Sequence, residues 1–115
     1  MAENQKQDLG NTDSGIKPNV AALLAYLLGF ITGLVFLLIE KNNKFVRFHA
    51  MQSIVVFGAI FVLQWLVSLI PLFGIVASGL LSLLAVVLWI ILMVKAYQGE
   101  KFKLPWVGDL AEKNS

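Results

Sequence analysis

The chain has no cysteine, one histidine and three prolines in 115 residues, and only 14% of its side chains are charged. Without thiols there is no disulfide framework, no thiolate zinc site and no cysteine nucleophile. A single His49 cannot build a His-rich metal site, and neither an H-E-x-x-H motif nor an Asp-rich cluster occurs. The missing charge is also unevenly missing: no Asp, Glu, Lys or Arg lies between Val20 and Ile39, or between Ala50 and Val94. A carboxylate relay or a proton-coupled pathway needs ionisable groups within such segments, and none is there.

What fills those segments is apolar. Residues of the hydrophobic class make up 58% of the chain, against about 45–50%, glycine included, in soluble domains. A bilayer core of about 30 Å is crossed by about 20 helical residues, so both uncharged stretches are long enough to cross. An all-α membrane protein of one domain follows, with the lipid bilayer as its first partner. The net charge of +2 sits on flanking segments and comes with no recognition motif, so no nucleic-acid partner is expected. No cofactor or metal is expected either.

The chain divides into a polar tail (1–19), a helical membrane domain (20–95) and an interfacial, cytoplasmic tail (96–115). Gly10, Asn11, Thr12, Asp13, Ser14, Gly15 and Pro18 break any periodicity in the first part, which reads as disordered and not as a cleaved signal. Three transmembrane helices are expected, at about 20–39, 50–70 and 75–94. The long apolar stretch would measure about 67 Å as one helix, so it must turn, and Pro71 with Gly74 marks the place. The second and third helices then form a tight antiparallel hairpin. Glu40 to His49, with Phe45 and Phe48 among bases, reads as an interfacial connection lying along the membrane surface.

Three crossings put Lys6 and Lys17 on one side, and Lys41, Lys44, Arg47, Lys95, Lys101, Lys103 and Lys113 on the other. The positive-inside rule then places the first connection and the carboxyl tail in the cytoplasm. If the first segment is instead re-entrant, every base lies on one side, which satisfies the rule more fully.

Candidate residues fall into three groups. Gly29 and Gly33 form a G-x-x-x-G pair on a small-residue face with Ala22 and Ala25, and Gly74, Ser78 and Ser82 repeat at intervals of four on the third helix; both faces suit close helix packing. His49, Ser53, Gln64 and Ser68 fall within about 100° of arc on the second helix, a weakly polar stripe that suits internal packing or a partner contact. Gln64 is the sharpest of these, because a lone amide in hydrocarbon must find a partner. Lys41, Lys44, Arg47, Lys101 and Lys103, interleaved with aromatics, suit lipid headgroups. His49 reads as an interfacial cap.

The string LAYLLGFITGLVFLLIEKNNKFVRFHAMQS, followed by MVKAYQGEKFKLPWVGDLAEK, resembles a family of small prokaryotic membrane proteins of unknown function. That family is grouped with the Tic-twenty-like chloroplast import components. The resemblance runs from about Ala21 to Lys113 and rests on Phe45 to Ala50, Gln52 and Ser53, Ala96 to Gly99, and Leu104, Pro105, Gly108 and Asp109. It implies a multi-pass α-helical protein of the inner or cytoplasmic membrane without established enzymatic activity. The chloroplast relatives resemble a translocon core of four spans, one more than this sequence offers. The expected function is therefore helix association, as a homo-oligomer or as a subunit with another membrane protein, with a translocon-like role as its extension. A pore-forming, holin-like channel is the alternative.

Overall fold

Two tilted turns and one broken helix decide the architecture. The computed structural model describes residues 9–115, and its regular elements are five helices: α1 Pro18–Leu27, α2 Phe30–Ile39, α3 Lys44–Val67, α4 Phe73–Tyr97 and α5 Val107–Asn114. No strand occurs among the described residues. α3 and α4, at 24 and 25 residues, are long and apolar enough to cross a membrane; α1 and α2, at ten residues each, are about 15 Å long and are not.

The single helix expected over 20–39 does not form. The chain breaks at Leu28–Gly29, where Gly29 has φ +64°, a left-handed conformation that glycine adopts without steric penalty. The backbone groups freed by the break are answered locally. The Thr32 hydroxyl accepts from Leu28 N at 3.0 Å and donates to Ala25 O at 3.1 Å. Ser53 Oγ donates to Gly29 O at 2.8 Å, and Trp89 Nε1 to Tyr26 O at 2.8 Å. Non-helical backbone inside an apolar layer is tolerated where such partners exist.

α1 and α2 therefore form a hairpin whose two ends lie together. Asn19 Nδ2 donates to Tyr97 O at one end of α4, and Arg47 donates to Leu37 O and Glu40 O beside the first turn of α3. The hairpin tip reaches Phe57, which lies against Gly29, and Phe61, whose ring meets Phe30 edge-on at 5.5 Å. That is about 20–26 Å along α3. Ala21, Ala22 and Ala25 are fully buried, and with Tyr26, Val46, Ala50, Leu92 and Ala96 they make the core of this half. Beyond Phe61, α3 and α4 have only each other, and Trp65, Leu69, Ile75, Leu80 and Leu83 are exposed.

Residues 40–49 do not lie apart as a surface segment. Asn43 Oδ1 accepts from Val46 N at 2.9 Å, an N-cap that starts α3 at Lys44, and Phe45, Phe48 and His49 are buried against protein. α3 thus begins six residues before the expected 50–70 and ends three short of it, and α4 begins two residues before the expected 75–94 and ends three beyond it. α4 closes in a Schellman motif: Gly99 has φ +80°, Glu100 N donates to Lys95 O and Gly99 N to Ala96 O, each at 3.0 Å.

The two remaining turns are copies of one another. In Ile70-Pro71-Leu72-Phe73-Gly74, Phe73 N donates to Pro71 O at 2.6 Å and Gly74 N to Ile70 O at 2.8 Å. In Leu104-Pro105-Trp106-Val107-Gly108, Val107 N donates to Pro105 O and Gly108 N to Leu104 O at the same distances. The central residues, Leu72 and Trp106, have φ of 64° and 63°, γ-turns of the rare, strained hand, and both side chains stand out, 80% and 87% exposed. Each glycine is required by contact: a Cβ on Gly74 would overlap Val67 O, and one on Gly108 would overlap the Lys103 side chain.

Candidate functional site

The buried polar side chains Glu40, Asn43, His49 and Gln52 gather at the end where α3 begins, in two clasps. Tyr26, His49 and Gln52 are fully buried and form the first. His49 Nε2 lies 2.9 Å from Glu100 O. A carbonyl only accepts, so Nε2 carries the ring proton and Nδ1 is left to accept from the Tyr26 hydroxyl at 2.6 Å. Gln52 Nε2 donates to Tyr26 Oη at 3.0 Å and to Phe102 O at 2.9 Å, while its Oε1 accepts from Leu104 N at 3.1 Å. Phe45, Phe48 and Tyr26 surround the imidazole edge-on, with centroids at 4.7, 5.1 and 5.4 Å. Every polar atom of the triad is used, and three backbone groups of the segment after α4 are pinned by it.

The second clasp holds the chain before α1. The buried Glu40 carboxylate accepts from Asp13 N at 2.6 Å and Ser14 N at 3.0 Å, and Asp13 returns a bond by accepting from Lys41 N at 2.9 Å. Asn43 Nδ2 donates to Leu9 O and Asn11 O at 2.9 and 3.0 Å. Residues 9–17 of the tail expected to be disordered thus have a fixed course; residues 1–8, Lys6 among them, lie outside the described part.

Outside these clasps α5 is tied by ion pairs to the segment that leads into it, residues 98–106. Lys103 pairs with Glu112, with Asp109 at 3.7 Å, and Lys101 with Glu112 at 3.1 Å. The Lys103 hydrogen bond holds the Glu112 carboxyl below the usual carboxylate range, and Glu112 in turn raises Lys103. Lys101 Nζ also sits 5.2 Å from the Phe48 ring centroid.

The expected polar stripe does not gather at one place. His49 belongs to the first clasp, and Ser53 to the hairpin tip. Ser68 Oγ turns back to Trp65 O at 2.6 Å. Gln64 is tied within the α3–α4 pair: it donates to Ser82 Oγ at 2.9 Å and Ser78 O at 3.3 Å, and accepts from Ser78 Oγ at 2.7 Å. Gly29 and Gly33 both pack against α3, where a Cβ on Gly33 would come within 2.8 Å of Ala50 O. Among the headgroup candidates, Lys44 donates to Ser115 O at 3.2 Å, and Arg47, Lys101 and Lys103 are engaged as described; Lys41 is exposed. Tyr26, Thr32, Glu40, Asn43 and Trp89 were not among the expected site residues. Gln52 carried the only signal, as part of the resemblance.

Among the described residues no group of three His, Cys, Asp or Glu side chains stands close enough to hold a metal ion. The arrangement closes an end of a helical bundle with fully satisfied polar groups; it holds segments in place.

Residues 17–111 match the family described as the magnetosome magnetite crystal formation protein family. A UPF0132 membrane protein of Methanocaldococcus jannaschii is 50% identical over 107 residues, covering 93% of this chain and 96% of its own length. A second from that organism is 46% identical over 99 residues, 86% of this chain and 71% of its own length. One from Archaeoglobus fulgidus is 49% identical over 98 residues, covering 85% and 95%. No solved structure matches the chain. With its two long apolar helices, the chain is thus a small prokaryotic membrane protein.

Proposed function

The chain belongs to the magnetosome magnetite crystal formation protein family, and on that membership and the geometry above we propose that it is a non-enzymatic, multi-pass protein of the cytoplasmic membrane. It works through helix association, as a homo-oligomer or as a subunit of a membrane complex. Two crossings, α3 and α4, carry it, and the α1–α2 hairpin enters and leaves from the same side. Every charged side chain among the described residues lies at the hairpin's open end, and the far turn from Ser68 to Leu72 has none. The positive-inside rule then puts both termini in the cytoplasm. The family's description speaks of magnetite crystal formation; the residues placed here support membrane assembly.

The observation that carries the association reading is the far half of α3 and α4. Gly79 there has no atom near the place of a Cβ, and Ser82 is exposed while bonded to Gln64. Small and hydroxylated positions of this kind let further helices approach closely. A translocon-like assembly is one form such a subunit takes. An oligomer with Ser82 turned inward would instead be a pore.

Photo-crosslinking in native membranes tests the reading. A photoreactive residue at Trp65, 63% exposed on this half, is expected to give adducts to a second copy or to another membrane protein. Lipid adducts alone would sink it. Reconstituted protein that leaks entrapped dye would favour the pore.

A further inference from the structure

The molecule is broad at one membrane face and narrow at the other. From the charged end to the level of Phe61 four helices stand side by side, joined at the surface by α5 and the two clasped segments; from Phe61 to Pro71 only α3 and α4 continue. A helix with its side chains is about 10 Å across, so the area occupied in the near leaflet is about twice that in the far one. The difference is built to last. The hairpin is packed on α3 through Gly29 and Gly33, its tip is hydrogen-bonded to Ser53 and Trp89, and its two ends are fixed by Glu40, Asn43 and Arg47. Interiors packed in this way do not deform continuously.

A rigid inclusion that occupies more area in one leaflet than in the other is best accommodated where that leaflet is the expanded one. We propose that the protein prefers, and at high density imposes, membrane curvature with its charged end on the convex face. The ligand is thus a shaped lipid surface. The inference rests on the two-crossing reading of α3 and α4. It requires no lipid specificity, and it makes the sign of the effect depend on orientation, which simple attraction to packing defects or to anionic headgroups would not.

The cysteine-free chain allows a direct test. The full-length variant Asn11→Cys/Asn42→Cys, both positions exposed, is reconstituted in both orientations into vesicles of mixed diameter made from phosphatidylethanolamine and phosphatidylglycerol. A membrane-impermeant fluorescent maleimide marks molecules whose charged end faces out, and a second dye added after permeabilisation marks the rest. The outward population is expected to rise in density as vesicle diameter falls, and the inward population to fall. Equal densities across diameters overturn the proposal, and so does enrichment of both populations on small vesicles. Mass spectrometry of the same samples checks the crossing reading separately: each molecule carries two copies of one dye if Asn11 and Asn42 share a side, and one copy of each if they do not.

Discussion

Gln52 is the residue on which most of the charged end depends, because one amide holds Tyr26, Phe102 and Leu104 together. Replacing it by leucine leaves Leu104 N and Phe102 O, both half-buried, without that partner, a loss below the ~1–3 kcal/mol of a fully buried stranded group. Gln52→Leu is expected to lower the thermal unfolding temperature in detergent and to speed proteolysis within residues 99–115; an unchanged melting curve would contradict the clasp. His49→Ala leaves the Tyr26 hydroxyl without its acceptor and releases Glu100 O, with the same proteolytic signature expected. The sequence does not announce these residues. Tyr26 sits in a leucine-rich run and Glu40 beside a polar connection, where a carboxylate is ordinarily solvated; only the approach of residues 9–17 and 99–104 turns them inward.

At the level of elements, the hydropathy of Ala50 to Val94 and the position of Pro71 made α3, α4 and their turn legible, because length, absence of charge and a missing N–H each act locally. The α1–α2 hairpin was legible only as an alternative. A Gly29–Gly33 pair looks the same whether it packs a straight helix or bends a broken one; what decides is that Thr32, Ser53 and Trp89 can answer the freed backbone. Thr32→Val keeps the shape and removes that answer, and a destabilisation of about 1–2 kcal/mol is expected, read as a lower midpoint in detergent denaturation. Gly74→Ala is expected to be worse tolerated than Gly79→Ala, since a Cβ meets Val67 O at the first site and open space at the second; equal melting temperatures would rule this out. α5 adds a pH dependence. The Glu112 carboxyl is held low by Lys103, so its contribution is present above the unfolded carboxyl value of about 4.3 and is lost as pH falls through the folded value. Lys103 is raised by Glu112, so its contribution is present below about 10.4 and is lost as pH rises through the folded value. The protection of α5 against hydrogen exchange, taken relative to the intrinsic amide rate at each pH, is expected to be highest between those limits, and protection unchanged down to acid pH would count against the ion pairs.

For the whole molecule, the segregation of charge has a consequence for how the chain enters the membrane. Between Val55 and Leu83 the polar side chains are Gln64, Ser68, Ser78 and Ser82, none of them ionised. Driving an elementary charge across a membrane potential involves about 2.3 kcal/mol per 100 mV, and on the proposed two-crossing reading the α3–α4 pair moves none to the far side. Its integration is therefore expected to proceed at an unaltered rate in vesicles whose potential has been collapsed by an ionophore, as followed by protease protection of newly made chains. On that reading the field that orients so many membrane proteins at the moment of synthesis has nothing here to pull on, and orientation would rest with the end that carries the charges.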